Sequence, residues 1–289
     1  MSDVAASDPI QTPSARAKAA KPGREVIYRH RIVVRVTHWI NLICLTLLLM
    51  TGLQIFNAHP MLYWGQYGAD ADTPFISMAA DDWRKPHPRG VTKVGPLTFD
   101  TTGVLGVSGG EIRGFPSWAT WPNQRNLAVG RNWHFFMAWL FVINGLIYLI
   151  SSALNGHFKR DLAPTRDQLK PSHIWRSIID HIKLKHPVGE EAKSYNVLQK
   201  FAYLSVVVVL LPGMVLTGLT MSPGFDAFCP FLLTLFGGRP SARTLHFIFA
   251  NLIVLFVIIH VVEVFIAGVF NEIGSMITGR YTIKTGDHA

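Results

Sequence analysis

The chain alternates between long apolar runs and polar connectors, and four of the runs, at 33–56, 133–153, 197–219 and about 244–269, are long enough to cross a bilayer. A hydrocarbon layer about 30 Å thick is spanned by about 20 helical residues. The second run stops at Asn155-Gly156, a helix terminator. The third is interrupted by Pro212-Gly213, which membrane helices tolerate where neighbours re-satisfy the freed backbone. Between the first two runs lies a connector, 57–131, rich in Gly, Pro and Trp; a loop of that length is expected to carry structure of its own. The connector 155–194 is basic and places Ile174, Trp175, Ile178, Ile179 and Ile182 at helical spacing, with Arg176, Asp180 and Lys183 on the other side. That pattern predicts an amphipathic helix lying on the membrane surface. Residues 1–31 have no apolar core and predict a disordered tail, not a signal peptide, and 271–289 predict a second tail. The expectation is an all-α membrane protein, a four-transmembrane-helix bundle over 32–270 with a long outer loop and an interfacial amphipathic helix.

Composition agrees. Of the 289 residues, 49% are hydrophobic and 16% charged, against about 25% charged in soluble domains. The +9 net charge sits mainly in segments flanking the apolar runs, as topology signals do, so no nucleic-acid partner is expected. Lys and Arg concentrate in the N-terminal segment, the 155–194 connector and the C-terminal segment, which predicts that both termini are cytoplasmic and that the 57–131 loop faces outward. Cys44 and Cys229 frame neither a disulfide scaffold nor a Cys-x-x-Cys-His motif, which excludes a covalently attached c-type haem.

Against this frame the histidines sort by depth. His246 and His260 are fourteen residues apart in the fourth run, close to four helical turns, so both point from one face about 21 Å apart along the axis. With the predicted topology His38 lies near the inner end of span one and His134 near the outer end of span two. Two levels result, His134 with His246 outside and His38 with His260 inside. Each offers two imidazoles from two helices, the ligand set of a six-coordinate b-type haem. His30, His59, His87, His173, His181 and His186 fall in tails or connectors and are expected at the surface. Arg35, Arg131 and Arg243 each precede a ligand histidine by three residues and so share its face, where a guanidinium suits a haem propionate. Gly52, fourteen residues past His38, and Gly218 belong to two matching Thr-Gly-Leu triplets; both glycines would let a flat macrocycle approach the backbone.

His38-Trp39-Ile40-Asn41 followed by Thr51-Gly52-Leu53, Arg131-x-x-His134 and the His246/His260 helix resemble the bacterial cytochrome b561 and nickel-hydrogenase cytochrome b group, which includes membrane subunits of formate dehydrogenase and thiosulfate reductase. The resemblance implies a multi-pass protein of the bacterial inner membrane carrying two b-type haems, His38 and His260 on one and His134 and His246 on the other. It implies electron transfer between the quinone pool and a periplasmic redox enzyme, a molybdopterin oxidoreductase or a hydrogenase-like protein. The long Trp-rich loop departs from compact members and suggests a docking surface bearing Trp64, Trp83, Trp118 and Trp121. A free-standing quinone reductase or superoxide oxidase is the alternative. A proton-coupled transporter would need a polar path between the two histidine levels, where spans one and four offer mainly Leu, Ile, Val and Phe. For quinone as substrate, Glu263, three residues after His260, Asn41, three after His38, and His157 at the inner end of span two are the candidate site.

Overall fold

The computed structural model describes residues 23–68, 72–158, 162–183 and 196–285. It opens with strand β1 (Gly23–Tyr28) and helix α1 (Ile32–Phe56). The connector that follows holds six short strands: β2 (Met61–Leu62), β3 (Ile76–Ala80), β4 (Gly90–Val94), β5 (Leu97–Asp100), β6 (Gly106–Ser108) and β7 (Glu111–Arg113). Helix α2 (Leu127–Leu154) and α3 (Pro171–Ile182) come next. The third apolar run is composite: α4 (Val197–Leu204), a π-helical turn at Ser205–Leu210, then α5 (Leu211–Thr220). Two short helices, α6 (Pro223–Phe228) and α7 (Phe231–Leu235), lead to α8 (Arg239–Thr278) and strand β8 (Arg280–Thr285).

Four helical stretches are long and apolar enough to cross a membrane: α1, α2, the composite 197–220 and α8. They make an integral membrane protein. Two hairpins organise them. In the first, α1 lies along α2, and an added Cβ at Gly130 would stand 3.0 Å from Gln54 Cγ, so the helices meet where no side chain intervenes. Cys44, Met137 and Phe141 form the buried core of this pair. In the second, α5 lies along α8, and a Cβ at Gly213 would come within 2.7 Å of the Phe249 ring. The proline beside it explains the π-helical turn: Pro212 has no N–H to donate and its ring crowds the preceding turn, which the wider winding relieves.

Within the 57–126 connector, β2 to β5 form an antiparallel meander and β6 pairs with β7. The unit is fastened to the helix ends near His134 and His246. Arg113, 2% exposed, donates to the carbonyls of Phe115 at 2.7 Å and Asn123 at 3.1 Å, and to Thr120 Oγ1 at 3.0 Å. Asn57 at the end of α1 accepts from Phe115 N at 2.7 Å, and Thr244 of α8 donates to the Tyr63 carbonyl at 2.7 Å. Phe56, Phe115 and Phe247 cluster between loop and helices, with ring centres 5.1 to 6.4 Å apart and Phe56 stacked on Phe247.

The structure revises the chain ends. Residues 23–28, predicted within the 1–31 tail, pair antiparallel with β8, Tyr28 opposite Arg280 and Gly23 opposite Thr285; residues 1–22 lie outside the described residues. The 271–289 segment is likewise helix to Thr278 and then strand, with 286–289 outside the described residues. In α8 the helical geometry breaks at Gly268, φ 109°, a left-handed conformation that only glycine adopts readily. Helix then resumes, and this last part packs on the start of α1, where Trp39 Nε1 donates to the Met276 carbonyl at 3.1 Å. Gly279, φ 82°, terminates it.

Candidate haem sites between the hairpins

Helix α8 carries two histidines and each faces one from the first hairpin. His38 on α1 and His260 on α8 have ring centres 6.3 Å apart with 71° between planes. His134 on α2 and His246 on α8 stand 6.4 Å apart at 61°. With about 2 Å for each metal–imidazole bond and roughly 1 Å from ligating nitrogen to ring centre, two rings on one iron are roughly 6 Å apart. Both pairs meet that spacing. Among the described residues no group of three or more His, Cys, Asp or Glu could hold a bare ion. A donor set of two opposed imidazoles suits an iron whose other positions a macrocycle fills.

The surroundings of the pairs differ. His134 Nδ1 lies 3.0 Å from Thr51 Oγ1, and His246 Nδ1 lies 3.0 Å from Thr217 Oγ1. His38 instead meets the edge of Trp39, ring centres 5.5 Å apart, while Phe256 stacks on His260 at 5.9 Å and 9°. Gly52 and Gly218 lie beneath the imidazoles: an added Cβ would be 3.4 Å from His134 Cε1 at Gly52 and 3.5 Å from His246 Cε1 at Gly218. At each glycine the helix backbone thus lies against a histidine ring.

The three arginines diverge. Arg35 donates through Nη2 to the Ile277 carbonyl at the end of α8, and its Nε is buried without an acceptor among the described residues. An unmet cationic donor one turn from His38 fits a propionate carboxylate. Arg243 donates through Nη2 to the His59 carbonyl and lies over the Phe56 ring, 5.7 Å away. Arg131 is exposed, over the Phe135 ring at 5.7 Å.

Each residue of the expected quinone site has a different neighbour. Asn41 turns to α2, where its Oδ1 accepts from Asn144 Nδ2 at 2.7 Å. His157 meets the edge of Tyr148 at 6.4 Å. Glu263 lies within electrostatic reach of His260, and so does Glu272, a residue the sequence reading left in the C-terminal tail. No local pattern marks Glu272, because the break at Gly268 decides where it lies. Thr51 and Thr217 went unassigned although their triplets were visible, since the partner of each hydroxyl is on another helix.

His30 and His59, expected at the surface, are partly buried. Burial pushes His30 down to about 4, reinforced by the nearby Arg29, His38, His157 and Arg35. In the β-rich connector, the Lys85 ammonium and the Arg89 and Asp82 backbone amides hold the Asp81 carboxyl well below the usual carboxylate range. Trp64, Trp83, Trp118 and Trp121 of this connector are all exposed, Trp118 most at 78%.

The sequence model for prokaryotic cytochrome b561 matches residues 29–279, which include every helix and all four facing histidines. The chain is 28% identical, over 83% of its length and 92% of the relative's, to a putative protein-methionine-sulfoxide reductase subunit YedZ1 of Azospira oryzae. No solved structure gives a significant match.

Proposed function

Because the chain belongs to the prokaryotic cytochrome b561 family, whose members bind b-type haem in the membrane and carry electrons, we propose that it holds two haems and moves electrons from quinol to a periplasmic reductase. The observation that carries this reading is the pair of facing histidine couples strung four turns apart on α8. Haem bound at each couple supplies reversible one-electron iron chemistry at two depths of the bilayer.

The residues divide the remaining work. His38 with His260 and His134 with His246 fix the two macrocycles, and Arg35 offers its unmet donor to a propionate at the first couple. Oxidation of a quinol releases two electrons and two protons. Glu263, beside His260, accepts protons there and exchanges them with water on the cytoplasmic side, with Glu272 as a second carboxylate and His157 as hydrogen-bond partner to a quinone carbonyl. The electrons leave at the His134/His246 end, beneath the β-rich unit that Arg113, Asn57 and Thr244 clamp to the helices. Its exposed tryptophans are the docking surface; aromatic residues are enriched at interfaces. The similar chain is named as a subunit of a reductase, which supports electron flow from quinol to partner.

A pyridine haemochrome assay on the purified chain is expected to return two haems b per polypeptide, and added quinol to reduce both. One haem or none would overturn the reading.

A further inference from the structure

The Thr-Gly-Leu triplets of α1 and α5 do the same thing to two different histidines. Thr51 Oγ1 donates to the Leu47 carbonyl at 2.6 Å and stands 3.0 Å from His134 Nδ1. Thr217 Oγ1 donates to the Gly213 carbonyl at 2.6 Å and stands 3.0 Å from His246 Nδ1. A hydroxyl has one proton and two lone pairs. With the proton committed to the short carbonyl bond, each oxygen faces its ring as acceptor and Nδ1–H is the donor. That donor role places the proton on Nδ1 and leaves Nε2 for iron. Both threonines are fully buried, so water does not substitute for them. The adjacent glycine, Gly52 or Gly218, brings the helix backbone against the same edge of the ring.

We propose that Thr51 and Thr217 are matched positioning residues, one for each axial imidazole of the His134/His246 site, and that their hydroxyls hold that site's redox potential down. An acceptor on Nδ1–H raises the basicity of the ligating nitrogen, and a more basic ligand favours ferric over ferrous iron. The His38/His260 couple, held by Trp39 and Phe256, is not subject to this control. The inference rests on the reading that His134 and His246 are haem ligands.

The test uses the full chain purified in detergent with its haems, carrying Thr51→Val, Thr217→Val, both together, or the corresponding Thr→Ser changes. Potentiometry should show one of the two haem components moving to higher potential in each valine variant and further in the double variant, the other staying in place. The expected size is a threefold to tenfold change in the reduced-to-oxidised ratio at fixed potential, tenfold being ~59 mV for one electron. The low-spin ferric EPR signal of the same component should shift with it, and serine should restore both. Unchanged potentials and EPR signals in the valine variants would overturn the proposal, as would serine variants behaving like valine, because the methyl group's packing would then carry the effect. Haem loss with valine but not serine supports it; haem loss with both overturns it. His134→Leu and His246→Leu tell the two failures apart: if neither lowers haem content, the ligand assignment has failed, not the role of the threonines.

Discussion

Asn144 Nδ2 donates to Asn41 Oδ1 at 2.7 Å and to the Thr37 carbonyl at 2.9 Å, joining α2 to α1 one turn from His38. Asn144 is 3% exposed, so this polar contact is made inside the first hairpin. From this contact we expect Asn41 to hold the helices together in place of binding quinone.

Asn144→Leu strands Asn41 Oδ1 without its donor, and a buried polar group so orphaned costs about 1–3 kcal/mol. Thermal unfolding in detergent should move down by several degrees, while the quinol reduction rate per haem stays near wild type. A tenfold slower rate with unchanged stability would return Asn41 to the quinone site.

His246→Leu and His134→Leu should each remove one haem, and the same one, because each strips an imidazole from the same facing couple. His38→Leu and His260→Leu should remove the other. Redox potentiometry of the residual haem identifies which remains; two variants of one couple leaving different haems would break the pairing.

Arg113→Ala removes the guanidinium that ties the β-rich unit to itself and, through Gln54 Oε1 at 3.4 Å, to α1. Hydrogen bonds to charged groups contribute about 1.5–3 kcal/mol, so the 57–126 connector should become sensitive to trypsin while the haem spectra persist. Trp83→Ala with Trp118→Ala should leave that resistance intact and weaken copurification with the redox partner; an undiminished complex would remove these tryptophans from the docking surface.

The helices were legible because an apolar run of about 20 residues outweighs every local signal, and the facing of His38 with His260 and of His134 with His246 because 3.6-residue periodicity converts spacing into facing. What escaped depends on contacts distant in sequence. The β1/β8 ribbon joins residues such as Tyr28 and Arg280, which neither segment announces alone. The meander uses strands of two to five residues, too short for alternation to declare itself. Helix α8 runs past its apolar limit because the chain resumes helix after Gly268 and finds the start of α1 to pack on. The threonine clamps escaped for the same reason, each being a contact between two helices.

His30 gives a pH dependence. Its folded-state value, about 4, lies below the ordinary 6.5, so the folded chain binds fewer protons there than the unfolded one. The stability this contributes is fully present above pH 6.5 and is lost as pH falls toward about 4. The link between β1 and α1 should open first: amide hydrogen exchange across 23–31, measured at each pH and corrected for its intrinsic pH dependence, should quicken as pH falls through that window. His30→Gln should flatten the profile, and an unchanged profile would exclude His30 as its origin.

The last prediction concerns Glu263. It stands one turn beyond His260 on α8 and within electrostatic reach of its ring, so under the proposed function a carboxylate there meets the place where quinol would shed protons as its electrons pass on. Glu263→Gln keeps size and a polar head group but removes the titratable carboxylate. Both haems should remain with near-normal spectra, and reduction by dithionite, which needs no protein proton acceptor, should be unaffected. Quinol-driven reduction should slow at least tenfold. Glu272→Gln, altering the second carboxylate near His260, should slow it less if Glu272 only relays protons toward water, and the double variant should be no slower than Glu263→Gln alone if the two act in series. A normal quinol rate in Glu263→Gln would rule out the proton-accepting role.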